Sequence, residues 1–340
     1  MPFPTVTTPV TPTPVRPRSV SGPSSSRMDA LSALKNIEPN LIIDAAPTPM
    51  AKKLSSVEKS KRLAAYTAVD KHILPEHKYI GIGSGSTVPY VVERIVSQGH
   101  DLNKTRVFIP TGFQSKELIV KAGLRLGDVD QYPTLDVTID GADEVDSDLN
   151  CIKGGGACHL REKVLAEAAI TWVVVADYRK NSKILGTTYK VGVPVEVAPF
   201  AYAKLLENLH TLGSPTAQLR MATHKAGPIV TDNGNFVIDA PFPPEYMKEP
   251  LELLTRIKML TGVVEVGLFC HMARAAYFGN EDESVTIRPP MNSMACISTA
   301  TAMETFTVLL SLKRTRFPGI ICIISDNVLS IPPPTSGCMS

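Results

Sequence analysis

The chain has 340 residues, of which 44% are hydrophobic and 20% are charged, and its formal net charge is +2. That length accommodates two domains, and the composition is that of a soluble globular protein. The near-balance of charge gives no global electrostatic case for binding to nucleic acid or membrane, and the lysines and arginines form no run and are not interleaved with aromatic residues. We therefore predict neither a nucleic-acid partner nor a membrane partner.

Residues 1–53 are rich in Pro, Ser and Thr and show no helical period, which predicts a disordered arm. The arm lacks the apolar core of a secretory signal. Arg16, Arg18 and Arg27 precede the first acidic residue, Asp29, as in a transit peptide, whereas the many prolines argue against the amphipathic helix that such a peptide needs. The prediction is a cytoplasmic protein, with organelle import as the alternative.

The cysteines form no C-x-x-C pair and lie too far apart for a zinc ribbon. The six positions are Cys151, Cys158, Cys270, Cys296, Cys322 and Cys338. We predict buried free thiols in a reducing compartment rather than disulfides.

From Ser55 to Asp177 helices and strands alternate. Ser55 or Ser56 is the predicted N-cap of the first helix. After the strand KYIGIGS, a second helix ends at Gly99 and carries one apolar stripe, made of Val88, Val91, Val92, Ile95 and Val96. The strands RVFIPTG, LDVTID and TWVVVAD follow, separated by the helices SKELIVKAG and REKVLAEAAI. This order predicts an α/β fold whose parallel sheet is covered on both faces, assigned to residues 54–196 plus 262–288.

A small α+β subdomain is predicted for residues 197–261. It contains a helix over Ala201–Leu212, two strands joined through TDNGN, and a second helix, EYMKEPLELLTRIKML. Asn233-Gly234 predicts a hairpin turn with positive φ at both residues. The chain is then expected to return to the main sheet through Val263–Phe269. Residues 289–340 have no stable period and form an unassigned tail, in which MACISTATAMETFTVLLSL is a poor membrane span.

Ligands of parallel sheets bind beyond the carboxyl ends of the strands. Three polar loops follow predicted strands here: Gly81–Thr87, Asp140–Glu144 and Asp177–Lys183. The first, GIGSGST, offers backbone N–H groups, hydroxyls and a helix N-terminus to an anion. It departs from the dinucleotide pattern because Ser86 stands at the third glycine position, and it lacks the Walker lysine. It indicates a phosphate monoester site, with a plain tight turn as the alternative.

The acidic loop DGADE follows a strand, so Asp140 and Asp143 are predicted to face one cleft. Two alternatives stay open, an Mg²⁺ site and an ordinary turn cap. The segment KGGGACHLREK comes next. Its three glycines indicate a close approach of the backbone, and Lys153 is placed to stabilise an oxyanion. Glu162 begins an apolar helix, where favourable charge at the helix N-terminus is the ordinary explanation. His159 is interpreted as structural rather than as a base.

Taken together, GIGSGST, DGADE, KGGGA…REK, VADYRKNSKILG, PVEV, TDNGN and GVVEVGLF resemble the type A family of ribose-5-phosphate isomerases. The resemblance runs from Ser55 to Arg288, about two-thirds of the chain, and residues 289–340 match nothing in the family. It implies a Rossmann-like domain with a small ferredoxin-like subdomain, and a homodimer or homotetramer. It also implies interconversion of ribose 5-phosphate and ribulose 5-phosphate, a step of the pentose phosphate pathway, without metal or organic cofactor.

By motif match, the resemblance assigns catalytic roles to Glu162, Asp140, Asp143 and Lys153. It assigns substrate binding to Ser84, Gly85, Ser86, Thr87, Gly141, Ala142, Gly154, Gly155, Gly156 and Lys180, with Lys61 as a further phosphate contact. The run Cys158-His159-Leu160-Arg161 departs from the family pattern, but the offset from Lys153 to Glu162 is kept.

In the expected mechanism Glu162 is the base, Lys153 stabilises the enediolate oxygen, and Asp140 relays protons at hydroxyls. The pKa of Glu162 would then lie near ~6, above the ~4.3 of a free glutamate. Three other classes are separable by experiment: a nicotinamide dehydrogenase, a metal-dependent isomerase and a non-catalytic sugar-phosphate sensor. A cofactor titration, the effect of EDTA and a turnover assay distinguish them.

Overall fold

The computed structural model describes residues 54–290. The predicted arm (1–53), nearly all of the predicted tail, and the segment MACISTATAMETFTVLLSL lie outside the described residues. Among residues 54–290, no helix has both the length and the apolar character needed to cross a membrane. Cys151 is a buried free thiol, as predicted, whereas Cys158 and Cys270 are free thiols that are only partly buried.

Helices of one to five turns surround the sheets. They are α1 (Ser56–His72), α2 (Val88–Ser97), α3 (His100–Asn103), α4 (Phe113–Lys121), α5 (His159–Ala168), α6 (Tyr202–Leu212), α7 (Pro244–Met247) and α8 (Pro250–Lys258). Ser55 is the N-cap of α1, and its hydroxyl accepts the N–H of Glu58 at 3.3 Å. The stripe of α2 is buried except for Val96, which is 44% exposed. Val96 lies about 80° around the helix from Val88, at the edge of the stripe.

Thirteen strands in this part of the chain form three sheets. They are β1 (Tyr79–Ile82), β2 (Val107–Pro110), β3 (Leu135–Asp140), β4 (Glu144–Val145), β5 (Cys151–Ile152), β6 (Ala169–Asp177), β7 (Val193–Val197), β8 (Gln218–Leu219), β9 (Phe236–Ala240), β10 (Val263–Val266), β11 (Leu268–Phe269), β12 (Ala275–Gly279) and β13 (Val285–Arg288).

The main sheet has the strand order β13-β12-β6-β3-β1-β2, and only β13 runs antiparallel to its neighbour. Alternate residues of β6 face opposite layers. Val173 and Val175 pack with α1 and α2, whereas Trp172 and Val174 pack in another cluster with Ala166 of α5. The sheet is therefore parallel in its centre and covered on both faces, as the alternating sequence predicts.

The second sheet is antiparallel, with the order β10-β7-β9-β8. In chain order its main elements run β7, α6, β8, β9, α8 and β10, which is the βαββαβ order of the ferredoxin-like unit that the resemblance implies. The fold is α/β with a Rossmann-like sheet and a smaller α+β part. The predicted limits, residues 197 and 261, leave nearly all of β7 and all of β10 outside the small subdomain, although both strands belong to its sheet.

The prediction that Val263–Phe269 returns to the main sheet is wrong. β10 pairs with β7 in the small sheet, and β11 pairs with β5 in a three-stranded sheet. Gly267 lies between β10 and β11. Its backbone comes so close to Lys153 that any side chain on Gly267 would overlap the carbonyl oxygen of Lys153. The chain bends at this close approach and rejoins the main sheet only at β12.

The TDNGN segment also differs from its prediction. Gly234 has a φ of 79°, but Asn233 is not in the positive-φ region, and β9 pairs with the distant β8. The buried carboxylate of Glu196 organises this turn instead. Its Oε1 accepts hydrogen bonds from Thr231 Oγ1 at 2.8 Å, Asn233 Nδ2 at 3.0 Å and Asn235 Nδ2 at 2.9 Å.

The predicted helix EYMKEPLELLTRIKML is two helices, α7 and α8. Pro250 begins α8, and a proline disfavours helical geometry in the residue before it. Glu249 accordingly has φ −120° and ψ 67°.

Candidate active site

One cavity of about 380 Å³ opens where the carboxyl ends of β1, β3 and β6 meet the loop after β5. The three polar loops predicted from the sequence all contribute to its wall. The predicted site residues that line it are Ser84, Gly85, Ser86, Thr87, Gly141, Ala142, Asp143, Lys153, Gly154, Gly155, Gly156, Glu162 and Lys180. Asp140 lies buried beside it, and Lys61 does not line it. A larger hollow of about 510 Å³ near Phe113 contains none of these residues.

Three buried charged side chains meet at this cavity. Lys153 Nζ lies 3.0 Å from Asp140 Oδ2 and 3.2 Å from Glu162 Oε2, and the Lys153 side chain is only 3% exposed. The ammonium also donates to the carbonyl oxygen of Gly141 at 2.6 Å. The Ser84 hydroxyl donates a short hydrogen bond to Glu162 Oε1. The ends of β3 and β5 and the first turn of α5 thus bring one cation between two carboxylates.

Burial and mutual charge shift all three pKa values. Burial raises the pKa of Glu162 to about 7, although Lys153 pulls it down. Burial likewise raises the pKa of Asp140 against the opposing effect of Lys153. Burial alone would lower the pKa of Lys153, but the two carboxylates outweigh it and the pKa lies above its usual value. Lys153 is therefore a permanent cation, and Glu162 exchanges its proton near neutral pH.

The glycine loop, residues 154–156, follows Lys153 and packs closely against the side chains of His159 and Asp143. Gly154 has a φ of 103°, and a side chain on it would overlap the ring of His159. A Cβ on Gly155 would lie 2.6 Å from Asp143 Oδ1. The N–H of Gly155 donates to Asp143 Oδ2 at 2.7 Å, which gives Asp143 a defined contact in the site. Gly156 by contrast faces open space.

The first loop wraps around Asp140. Its Oδ1 accepts the N–H of Ser84 at 3.0 Å and the N–H of Gly141 at 2.7 Å. The N–H of Gly85 donates to Oε1 of Gln114 at 2.8 Å, and Gln114 lines the cavity as well. Gln114 was missed by the sequence analysis because it belongs to α4, outside every motif. Ser86, Thr87 and Lys180 line the same cavity, and Thr87 is the N-cap of α2.

Lys61 is held away from the cavity. Its ammonium lies 2.7 Å from Glu58 Oε1, with the side chain 10% exposed, and Tyr90 donates to the same carboxylate at 2.6 Å. Its assignment as a phosphate contact stays a prediction.

His159 is buried, and burial lowers its pKa to about 3, so the ring is neutral. Its Nε2 accepts the N–H of Glu196 at 3.1 Å, in line with the structural interpretation. Cys158 also lines the cavity and was missed, and burial raises the pKa of its thiol to about 12.

Within residues 54–290, no group of three or more His, Cys, Asp or Glu side chains is arranged to hold a metal ion. The carboxylate of Asp140, which the sequence left open as an Mg²⁺ ligand, is paired with the Lys153 ammonium. That cation would repel a divalent ion at the same oxygen.

Comparisons with known proteins identify the family of this chain. A family model described as ribose 5-phosphate isomerase A (phosphoriboisomerase A) matches residues 107–283. The ribose-5-phosphate isomerase of Cryptococcus neoformans var. neoformans serotype D (strain JEC21) is 68% identical over 257 residues, covering 73% of this chain and 84% of the relative. The ribose-5-phosphate isomerase of Mycosarcoma maydis is 69% identical over 235 residues, covering 69% of this chain and 82% of the relative.

A solved D-ribose-5-phosphate isomerase in complex with phospho-erythronic acid superposes with a TM-score of 0.62 at 36% identity. The match covers 68% of this chain and 99% of the solved chain. Fold, motifs and relatives therefore agree, and the chain belongs to the ribose 5-phosphate isomerase A family.

Proposed function

We propose that this protein interconverts D-ribose 5-phosphate and D-ribulose 5-phosphate through an enediolate. The observation that carries the proposal is the buried Glu162–Lys153 pair, 3.2 Å apart, at one cavity with a phosphate-type loop. A base and an oxyanion partner are what proton transfer next to a carbonyl requires. Membership of the family supports the same reaction.

Glu162 acts as the base in this proposal. It removes the proton from C2 of the open-chain aldose, the C1–C2 double bond forms, and the negative charge develops on O1. Return of the proton from Glu162 to C1, with transfer of the O2 proton to O1, gives the ketose. One carboxylate can serve both carbons because they are adjacent on one face of the planar intermediate. A pKa near 7 makes Glu162 a stronger base than an exposed glutamate while leaving it ionised in a large fraction of molecules at neutral pH.

Lys153 stabilises the enediolate. When Glu162 takes the proton it becomes neutral, and the negative charge moves to the substrate oxygen. The buried ammonium then loses one anionic partner and gains another, so its charge stays paired throughout. Asp140 supports this by keeping Lys153 in place at 3.0 Å. A relay of protons by Asp140 at sugar hydroxyls stays a prediction.

The phosphate group binds at the opposite end of the cavity, between Ser86, Thr87 and Lys180. The N-terminus of α2 and the hydroxyls supply donors, and Lys180 supplies charge. The similar solved isomerase is in complex with phospho-erythronic acid, a compound with a carboxylate at one end and a phosphate at the other. That complex supports the same two-ended arrangement here.

We further propose a homodimer or homotetramer in the cytoplasm, on the basis of the family resemblance. Light scattering on the purified full chain and imaging of a tagged copy test these two statements.

A direct assay of ribose 5-phosphate conversion, with and without EDTA, tests the function. The expected result is turnover that needs no added cofactor and is unchanged by EDTA. Turnover that stops with EDTA would indicate a metal-dependent isomerase, and dependence on a nicotinamide cofactor a dehydrogenase. Binding of ribose 5-phosphate without turnover would identify a sensor.

A further inference from the structure

The small sheet reaches the glycine loop through one side chain, Arg220, which directly follows β8. Its Nη1 donates to the carbonyl oxygens of Gly154 at 2.8 Å and Gly155 at 3.1 Å. These two carbonyls belong to the residues directly after Lys153. The same loop is held on its other side by Asp143, which accepts the N–H of Gly155 at 2.7 Å. Gly155 is thus fixed through both its N–H and its carbonyl oxygen.

Arg220 is itself rigidly oriented. Its Nε donates to Asp239 Oδ2 at 2.8 Å, and its Nη2 donates to the other oxygen of that carboxylate. The backbone of Arg220 is also paired, with its N–H donating to Val237 at 2.8 Å and its carbonyl oxygen accepting from Ile229 at 3.0 Å. A planar guanidinium that is hydrogen-bonded on both sides fixes the direction of its N–H groups as well as their distance. The ammonium of a lysine does not fix direction in this way.

The glycine loop needs such support because its own residues do little to fix its conformation. Gly155 and Gly156 are exposed and have no side chains to pack, and glycine loses more backbone entropy on ordering than other residues. On the other side of Lys153, its N–H donates to the carbonyl oxygen of Gly267 at 2.9 Å. Arg220 and Gly267 therefore secure the backbone on either side of the cavity's central cation.

Arg220 and Asp239 do not occur among the described residues that line the cavity. Their side chains are 14% and 7% exposed. A largely buried ion pair adds little net stability, because desolvation of both ions offsets their attraction. The contacts of Arg220 with the carbonyl oxygens of Gly154 and Gly155 indicate that this pair orients the glycine loop.

We propose that Arg220, held by Asp239, is a positioning residue that keeps the glycine loop and Lys153 in register with Glu162 during turnover. This rests on the proposed isomerase function, which is judged separately on the wild-type enzyme. Loss of the Arg220 contacts lets the loop and Lys153 move, while the phosphate end of the cavity is unchanged. The effect therefore falls on kcat more than on KM.

The test compares Arg220→Met, which keeps length and removes all donors, with Arg94→Met. Arg94 forms the same two-bond fork with Asp70, at 2.7 and 2.8 Å, and neither residue lines the cavity. We expect Arg220→Met to lower kcat about 10- to 100-fold, as small misplacements of reacting groups do. KM should stay within about threefold, and Arg94→Met should keep kcat within about twofold. The acid limb of the pH profile should also move to higher pH, because a displaced Lys153 no longer lowers the pKa of Glu162.

Arg220→Lys and Asp239→Asn cover the case in which Arg220→Met does not fold. Arg220→Lys keeps the charge but not the fork, and Asp239→Asn weakens the fork but leaves Arg220 in place. Both should lower kcat below that of Arg94→Met, and by less than Arg220→Met does where that variant folds. A folded Arg220→Met with the kcat of Arg94→Met would overturn the proposal. So would wild-type kcat in both milder variants, or a loss confined to KM. An inactive wild-type enzyme would instead refute the isomerase function.

Discussion

Lys153 Nζ and Glu162 Oε2 lie 3.2 Å apart, and both side chains are almost fully buried. The pair joins a permanent cation to a carboxylate whose pKa is near neutral, and the Ser84 hydroxyl holds the other carboxylate oxygen. Removing the proton acceptor while keeping the shape of the pair is therefore the most direct test of its chemistry.

Glu162→Gln should lower kcat by about 10²- to 10⁴-fold, the usual contribution of a general base. The amide keeps the size of the side chain, so ribose 5-phosphate should still bind, measured by calorimetry. Glu167→Gln is the control, since Glu167 is an exposed residue of the same helix and should leave kcat unchanged. Near-normal turnover in Glu162→Gln would remove Glu162 from the role of base.

The pH dependence of kcat/KM should follow the ionisation of Glu162. Only the ionised carboxylate can accept a proton, so activity should fall as the pH drops through about 7. Ser84→Ala removes a hydrogen bond that favours the charged form, so the pKa of Glu162 rises and the limb moves to higher pH. Ser97→Ala, at the far end of α2, is the control. An acid limb of the kcat/KM profile that moves to lower pH, or does not move, in Ser84→Ala would contradict this assignment.

Lys180→Ala should raise KM by about tenfold or more with a smaller change in kcat, because it removes charge at the phosphate end and leaves the reacting carbons untouched. Steady-state kinetics at fixed ionic strength measure both constants. Lys183→Ala is matched to it, since Lys183 lies in the same loop, is exposed and does not line the cavity. An unchanged KM in Lys180→Ala would place the phosphate site elsewhere.

Asp143 should act through its hydrogen bond to Gly155 rather than through charge alone. Asp143→Asn keeps an acceptor oxygen for the N–H, whereas Asp143→Ala leaves it unpaired. We expect Asp143→Ala to lower kcat about fivefold more than Asp143→Asn does, since a typical hydrogen bond contributes about 1 kcal/mol net and Gly155 is exposed to water. Equal losses in the two variants would show that the negative charge is what matters.

The local sequence pattern predicted most of the fold. The alternating helices and strands predict a parallel sheet, and in such a sheet all carboxyl ends lie at one edge, so the three polar loops were expected to converge. Two of the errors occur where a distant contact decides local geometry, whereas the break between α7 and α8 follows from Pro250 itself. Glu196 shapes the turn around Asn233, and the close approach of Gly267 to Lys153 redirects the chain between two sheets.

The sequence by itself determined the family, the fold class and most of the residues that line the cavity, because these depend on motifs and on a period that each segment carries. Only the tertiary structure decided how the residues act together. It placed Lys153 between Asp140 and Glu162, raised the pKa of Glu162 by burial, and gave Asp143 its contact with Gly155. It also brought Arg220 to a loop more than sixty positions earlier in the chain. Burial and side-chain contacts between distant segments have no local signature, since they arise only when the sheets pack.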